Sequence, residues 1–65
     1  MERLPAYSRV RIASDRYASD GAPRGAVGYV VELYDNAYEV EVSDVNGTTL
    51  FLGSIAEGEV ELAPE

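Results

Sequence analysis

The chain of 65 residues has no cysteine, no histidine, no tryptophan and no lysine. Without cysteine no disulfide can staple it, and a reducing compartment fits that composition. Without cysteine and histidine the usual zinc ligand sets are missing. The same absences remove the side chains most readily brought to a pKa near neutrality, so only carboxylates remain for acid–base work. Ser8, Ser14, Ser19, Ser43 and Ser54 have no basic partner to activate them. No segment approaches the roughly 18 apolar residues of a membrane span. The opening MERLPAYSRVRI holds no apolar run of signal-peptide length. The expectation is one cytoplasmic domain over residues 1–65, ordered from about 7 to 62, with no cofactor, no metal and no membrane partner. A core this small supplies a net stability of only about 3–5 kcal/mol.

Basic charge is scarce and confined. The net charge is −7, and the basic residues are Arg3, Arg9, Arg11, Arg16 and Arg24. Those five arginines face Glu2, Asp15 and Asp20, so residues 1–24 carry +5 − 3 = +2. Residues 25–65 hold nine acids and no base, hence −9. A field of that sign repels phosphate backbones and attracts basic partners. Solubility alone also accounts for a charge of this size.

What is present reads as short strands. Residues 7–12 (YSRVRI) alternate, with Val10 and Ile12 inward and Arg9 and Arg11 outward. Residues 13–28 form a long connection punctuated by Gly21, Pro23, Gly25 and Gly28. Residues 29–34 (YVVELY) carry apolar side chains on both faces. Placing Val31 and Leu33 inward leaves Glu32 in water, so that parity is expected. Asp35-Asn36-Ala37 predicts a tight turn. Residues 38–43 alternate again, with Tyr38, Val40 and Val42 in and Glu39 and Glu41 out. Asn46-Gly47 is the preferred hairpin turn. Residues 48–52 follow, with Leu50 and Leu52 expected inward and Thr49 and Phe51 on the other face. Gly53 predicts a bulge or bend. Residues 56–59 suggest one turn of 3₁₀ helix. Val60 and Leu62 form a last strand, and Ala63-Pro64-Glu65 reads as a free tail. The fold class is therefore all-β, a small five-stranded barrel with a long loop after the first strand.

Three stretches carry a resemblance. They are Gly25-Ala26-Val27-Gly28-Tyr29-Val30-Val31-Glu32-Leu33-Tyr34, Tyr38-Glu39-Val40-Glu41-Val42 and Asn46-Gly47-Thr48-Thr49-Leu50. In order, after a strand and a long loop, they resemble SH3-like barrels over residues 7–62. The pattern looks most like a family of short, stand-alone bacterial proteins of unknown function with an SH3-like barrel. It is more distantly similar to KOW barrels of the translation type and to the small barrel subunit of photosystem I. The resemblance implies the fold and brings no catalytic or binding residues. Tyr29 stands where that pattern has a small residue such as Thr, and the turn at Asp35-Asn36-Ala37 is short for it.

No constellation here names a reaction. Glu39/Glu41 and Glu57/Glu59 are carboxylate pairs two residues apart, about 7 Å on one face of a strand. A catalytic pair also needs a cleft and a raised pKa, so these are read as solvated glutamates. Asp44-Val45-Asn46-Gly47 lacks the spacing and terminal Glu of a calcium loop. Arg9, Arg11, Arg16 and Arg24 make a candidate basic patch for RNA, opposed by the nine acids elsewhere. Tyr17, Tyr34 and Tyr38 with Asp15, Asp20 and Glu32 imitate a proline-peptide groove that lacks its usual Trp wall.

The expectation is a non-enzymatic protein-interaction module with a basic protein partner, in the manner of an acidic antitoxin or immunity-type inhibitor. Nucleic acid and small-molecule substrates are not expected. The expected contacts are a stripe of Glu32, Glu39 and Glu41, with Asp35 and Asp44 at its ends and Tyr34 as an aromatic anchor. Glu57 and Glu59, with Glu61, form a second cluster. The alternatives are a structural subunit of a larger complex and an RNA-binding KOW-like domain.

Overall fold

A computed structural model describes residues 3–64. Five strands form one antiparallel sheet: β1 (Arg9–Ile12), β2 (Val27–Leu33), β3 (Ala37–Ser43), β4 (Thr49–Ala56) and β5 (Val60–Leu62). Their order across the sheet is β4-β3-β2-β1-β5. The only helical elements among the described residues are 3₁₀ turns at Ala18–Asp20 and Glu57–Glu59. No helix among them is long and apolar enough to cross a membrane. The architecture is all-β and consistent with the expected small SH3-like barrel.

The inner face gathers Val10 and Ile12 from β1, Val30 from β2, Tyr38, Val40 and Val42 from β3, Ile55 from β4 and Val60 from β5. Each fully buried aliphatic side chain contributes about 1.5–3 kcal/mol against leaving it in water. The alternation in β1 and β3 is as the sequence predicts.

Glu32 is in water as expected, but around Val30 and Val31 the parity of β2 is the reverse of the expected one. Val30 is fully buried, whereas Val31 is half-buried and Leu33 exposed. The cause is a bulge. Val30 pairs with Val40 and Glu32 with Glu39, so Val31 is an extra residue with no partner in β3. A regular strand would point Val30 and Glu32 to the same side. The bulge breaks that tie, sending Val30 into the core and Glu32 into solvent.

The parity of β4 is also reversed. Leu50 and Leu52 are 50% and 58% exposed, while Phe51 packs against the core. The expected bulge at Gly53 is not there, since Gly53 pairs regularly with Val40. The register shift falls between Val42/Phe51 and Ser43/Thr49, leaving Leu50 as the extra residue. Gly53 has a different reason to be glycine. A Cβ there would sit 3.1 Å from the Phe51 ring, which lies over the strand. β4 also runs on to Ala56 and so delivers Ile55, fully buried, to the core.

The long loop is tied down at several points. Ala22 is fully buried, and the Tyr17 ring meets Phe51 edge-on at 6.2 Å. Gly21, at φ 108°, lies so close to the Leu50 carbonyl that any Cβ would collide with it. Arg24 pairs with Asp15 at 3.1 Å and donates to the Ala13 carbonyl.

Both ends of the described chain differ from expectation. β1 starts at Arg9, because Pro5 to Ser8 close a turn through Ser8 N–H to the Pro5 carbonyl at 3.2 Å. Ala63 is not free: it is buried, its N–H donates to the Arg9 carbonyl, and Arg9 Nη1 donates back to its carbonyl at 2.9 Å. Of the rest of the expected tail, Pro64 is exposed and its carbonyl accepts from Arg9 Nη1 at 3.3 Å, while Glu65 lies outside the described residues.

Candidate interaction face on the outer side of the sheet

Because Tyr38, Val40 and Val42 point inward, Glu39 and Glu41 must point outward. Register then builds rows across the outer face. Glu41 stands opposite both Tyr29 and Leu52, and Tyr29 stands opposite Arg9. Glu39 stands opposite Glu32 on one side and Ser54 on the other. Side chains directly opposite in an antiparallel pair have Cβ atoms about 4.5–5.5 Å apart. The face is therefore a small patch of carboxylates at Glu32, Glu39 and Glu41, flanked by two half-exposed apolar groups, Tyr29 and Leu52.

The arginines do not balance this patch. Arg3 pairs with Glu57, Arg11 with Glu61 and Arg16 with Glu59, each at 3.0 Å, and Arg24 pairs with Asp15. Arg9 donates to the Ala63 and Pro64 carbonyls. Among the described residues no arginine forms an ion pair with Glu32, Glu39 or Glu41. The division of charge seen in the sequence thus has a spatial counterpart. Three of the five arginines pair with Glu57, Glu59 and Glu61, and no ion pair among the described residues reaches the acids of β2 and β3.

The eight expected contact residues consequently separate. Glu32, Glu39, Glu41 and Tyr34 are brought together. Tyr34 is 45% exposed, and its hydroxyl donates to Glu39 Oε1 at 3.3 Å. Partial desolvation and the negative charges of Glu39 and Glu32 raise the Tyr34 pKa above its ordinary value. The Glu41 carboxylate accepts from Thr49 Oγ1 at 2.8 Å, which fixes its direction.

Asp44 lies at the far end of the hairpin and caps its turn. Its Oδ1 accepts from the backbone N–H groups of Asn46 and Thr48, the Asx pattern that such turns favour. Asp35 sits in the β2–β3 turn beside a cleft with Glu57.

Glu59 is held by the fold. One of its oxygens accepts from the Tyr17 hydroxyl at 2.7 Å and from Arg16 at 3.0 Å. The Tyr17 bond, above all, holds its pKa below the usual carboxylate value. Glu57 and Glu59 therefore belong to an arginine-paired seam, which sets them apart from Glu32, Glu39 and Glu41.

Sequence reasoning missed the apolar members of the face. Leu50 and Leu52 are expected inward, and Tyr29 stands out in the sequence only as a departure from the SH3-like pattern. The clean alternation of β3 held the needed signal, since any residue paired with outward Glu41 must itself be outward. Locating that partner required the hairpin register, which the extra Leu50 shifts by one.

The chain matches the model of the family described as Domain of unknown function (DUF4926) over residues 7–62, and it belongs to that family. No curated protein and no solved structure matches it.

Proposed function

We propose that this member of the DUF4926 family is a non-enzymatic interaction module whose outer β2–β4 face engages a basic protein. The favoured form is an acidic antitoxin or immunity-type inhibitor covering the cationic site of its target. The observation that carries the reading is the uncompensated Glu32, Glu39 and Glu41 patch beside exposed Tyr29 and Leu52. Carboxylates on rigid strands steer a basic partner and raise the on-rate. The flanking aromatic and aliphatic groups, Tyr29 and Leu52, supply apolar area of the kind in which binding energy concentrates once a partner covers it. Holding these groups on a sheet spares ordering entropy at binding.

The alternatives are a structural subunit of a larger complex and an RNA-binding domain of KOW type. A structural interface would rest on Leu50, Leu52 and Tyr29 with the charge serving solubility. RNA binding would ask Arg9, Arg11, Arg16 and Arg24 to leave their present carboxylate and carbonyl partners for phosphates.

Affinity capture from the native host at low and at high salt, with mass spectrometry of what is retained, separates the three. A basic protein released by salt supports the inhibitor reading. A complex retained in high salt supports the structural one, and recovered RNA supports the third.

A further inference from the structure

A second recognition element lies away from the sheet face. A cleft of about 570 Å³ is bounded by Asp35 of the β2–β3 turn, Tyr38 at the start of β3, Glu57 and Gly58 of the 3₁₀ turn, and Glu61 of β5. The N-terminal segment enters it with Arg3 and Leu4. The Arg3 guanidinium stacks over the Tyr38 ring, 4.8 Å from its centroid. It also bonds Glu57 Oε2 and the Ala37 carbonyl, both at 3.0 Å. The Leu4 N–H donates to the Tyr38 hydroxyl at 3.1 Å.

These contacts are the full chemistry of guanidinium recognition. They comprise an aromatic face, a carboxylate and a carbonyl placed for a planar fork of donors. The cleft is nonetheless not filled by its resident, for its volume falls in the ~300–1,000 Å³ range of ligand sites. Its charged lining is Arg3 against Asp35, Glu57 and Glu61, and Arg11 pairs with Glu61 from β1. Asp35 has no ion pair among the described residues.

We propose that this cleft is an arginine-binding site for an extended segment of a basic partner, and that Arg3 occupies it in cis. Arg3 and Glu57 are 35% and 46% exposed. An ion pair so exposed contributes little to stability, so it yields readily to a competing arginine. The tether of the N-terminal segment gives Arg3 an effective concentration in the millimolar range. A partner arginine competes with that tethered occupant, so Arg3 raises the partner concentration needed for binding. The identity of the occupant as a protein segment rests on the basic-partner reading. The chemistry of the cleft does not, and the test below uses a peptide alone.

The test is an NMR titration of the full chain and of its Arg3→Ala variant with the capped peptide acetyl-Ala-Arg-Leu-Pro-amide. The same peptide with citrulline in place of arginine is the neutral control. Removing Arg3 is expected to tighten binding at least 5-fold, with saturable shifts at the amides of Ala37, Tyr38 and Gly58. Citrulline is expected to abolish them, and Glu57→Gln in the Arg3→Ala background to weaken them. Should Arg3→Ala fail to fold, Arg3→Met keeps an aliphatic stem over Tyr38 and serves the same comparison. Absence of saturable shifts in every variant, equal binding of the citrulline peptide, or shifts confined to Tyr29, Glu41 and Leu52 would each overturn the proposal. The last result would leave the sheet-face reading standing, and loss of the sheet-face reading would leave this site standing.

Discussion

Glu32 and Glu39 stand directly opposite each other on β2 and β3, two carboxylates in one row with no arginine paired to either. Like charges in that position repel and weaken the sheet. A fold with five arginines had cations to place there, and each is committed elsewhere. The row is a local cost that a cationic partner of the proposed kind would relieve.

Glu32→Gln is accordingly expected to stabilise the free protein by about 0.2–1 kcal/mol, the size of a cross-strand pair term. The urea midpoint should rise with the m-value unchanged. High salt should shrink the gain, because the repulsion it removes is screened.

The two faces of β4 make opposite demands. Ile55→Ala empties a fully buried site and is expected to cost about 2–5 kcal/mol. In a domain of this size that largely unfolds the chain, visible as lost chemical-shift dispersion. Leu52→Ala, half-exposed on the outer face, is expected to change stability by less than about 0.5 kcal/mol. It should instead weaken partner binding.

The long loop hangs on Gly21. Gly21→Ala meets both a positive φ of 108° and the Leu50 carbonyl, and is expected to cost about 1–3 kcal/mol. Gly47→Ala, at φ 83° with open space around it, carries strain alone and should cost about 1–2 kcal/mol. Gly58→Ala meets neither obstacle and should be neutral within about 0.5 kcal/mol. Thermal unfolding of the three variants checks the ranking.

Glu59 gives the fold an acid-sensitive point. Its folded pKa lies below the unfolded one, chiefly through the Tyr17 hydroxyl. The stability it contributes is therefore present above the ordinary carboxylate pKa and is lost as pH falls through the depressed folded value. Tyr17→Phe and Glu59→Gln should each flatten the fall of the urea midpoint below about pH 4.5, relative to the parent chain.

Much of this architecture was legible in the residues. The turn at Asn46-Gly47, the inward Val10 and Ile12, and the inward Tyr38, Val40 and Val42 follow from period-two patterning and turn chemistry. The faces of β2 and β4 did not follow, because each contains one extra residue, Val31 and Leu50, that resets parity without any local signature. Gly53 drew the bulge assignment that belonged three residues earlier, since a glycine under an aromatic ring and a glycine at a bulge look alike in sequence. The acidic residues were visible as a group. Their separation into a bare patch and an arginine-paired seam depends on contacts up to 54 positions apart, which composition does not carry.

The most direct test of the bare patch compares capture from the native host by the parent chain and by Glu32→Gln/Glu39→Gln/Glu41→Gln. Both are run at low and at high salt. A basic protein is expected to be retained by the parent at low salt, released at high salt, and lost from the triple variant, which stays folded. Equal retention by the triple variant, or retention that salt does not touch, would contradict it.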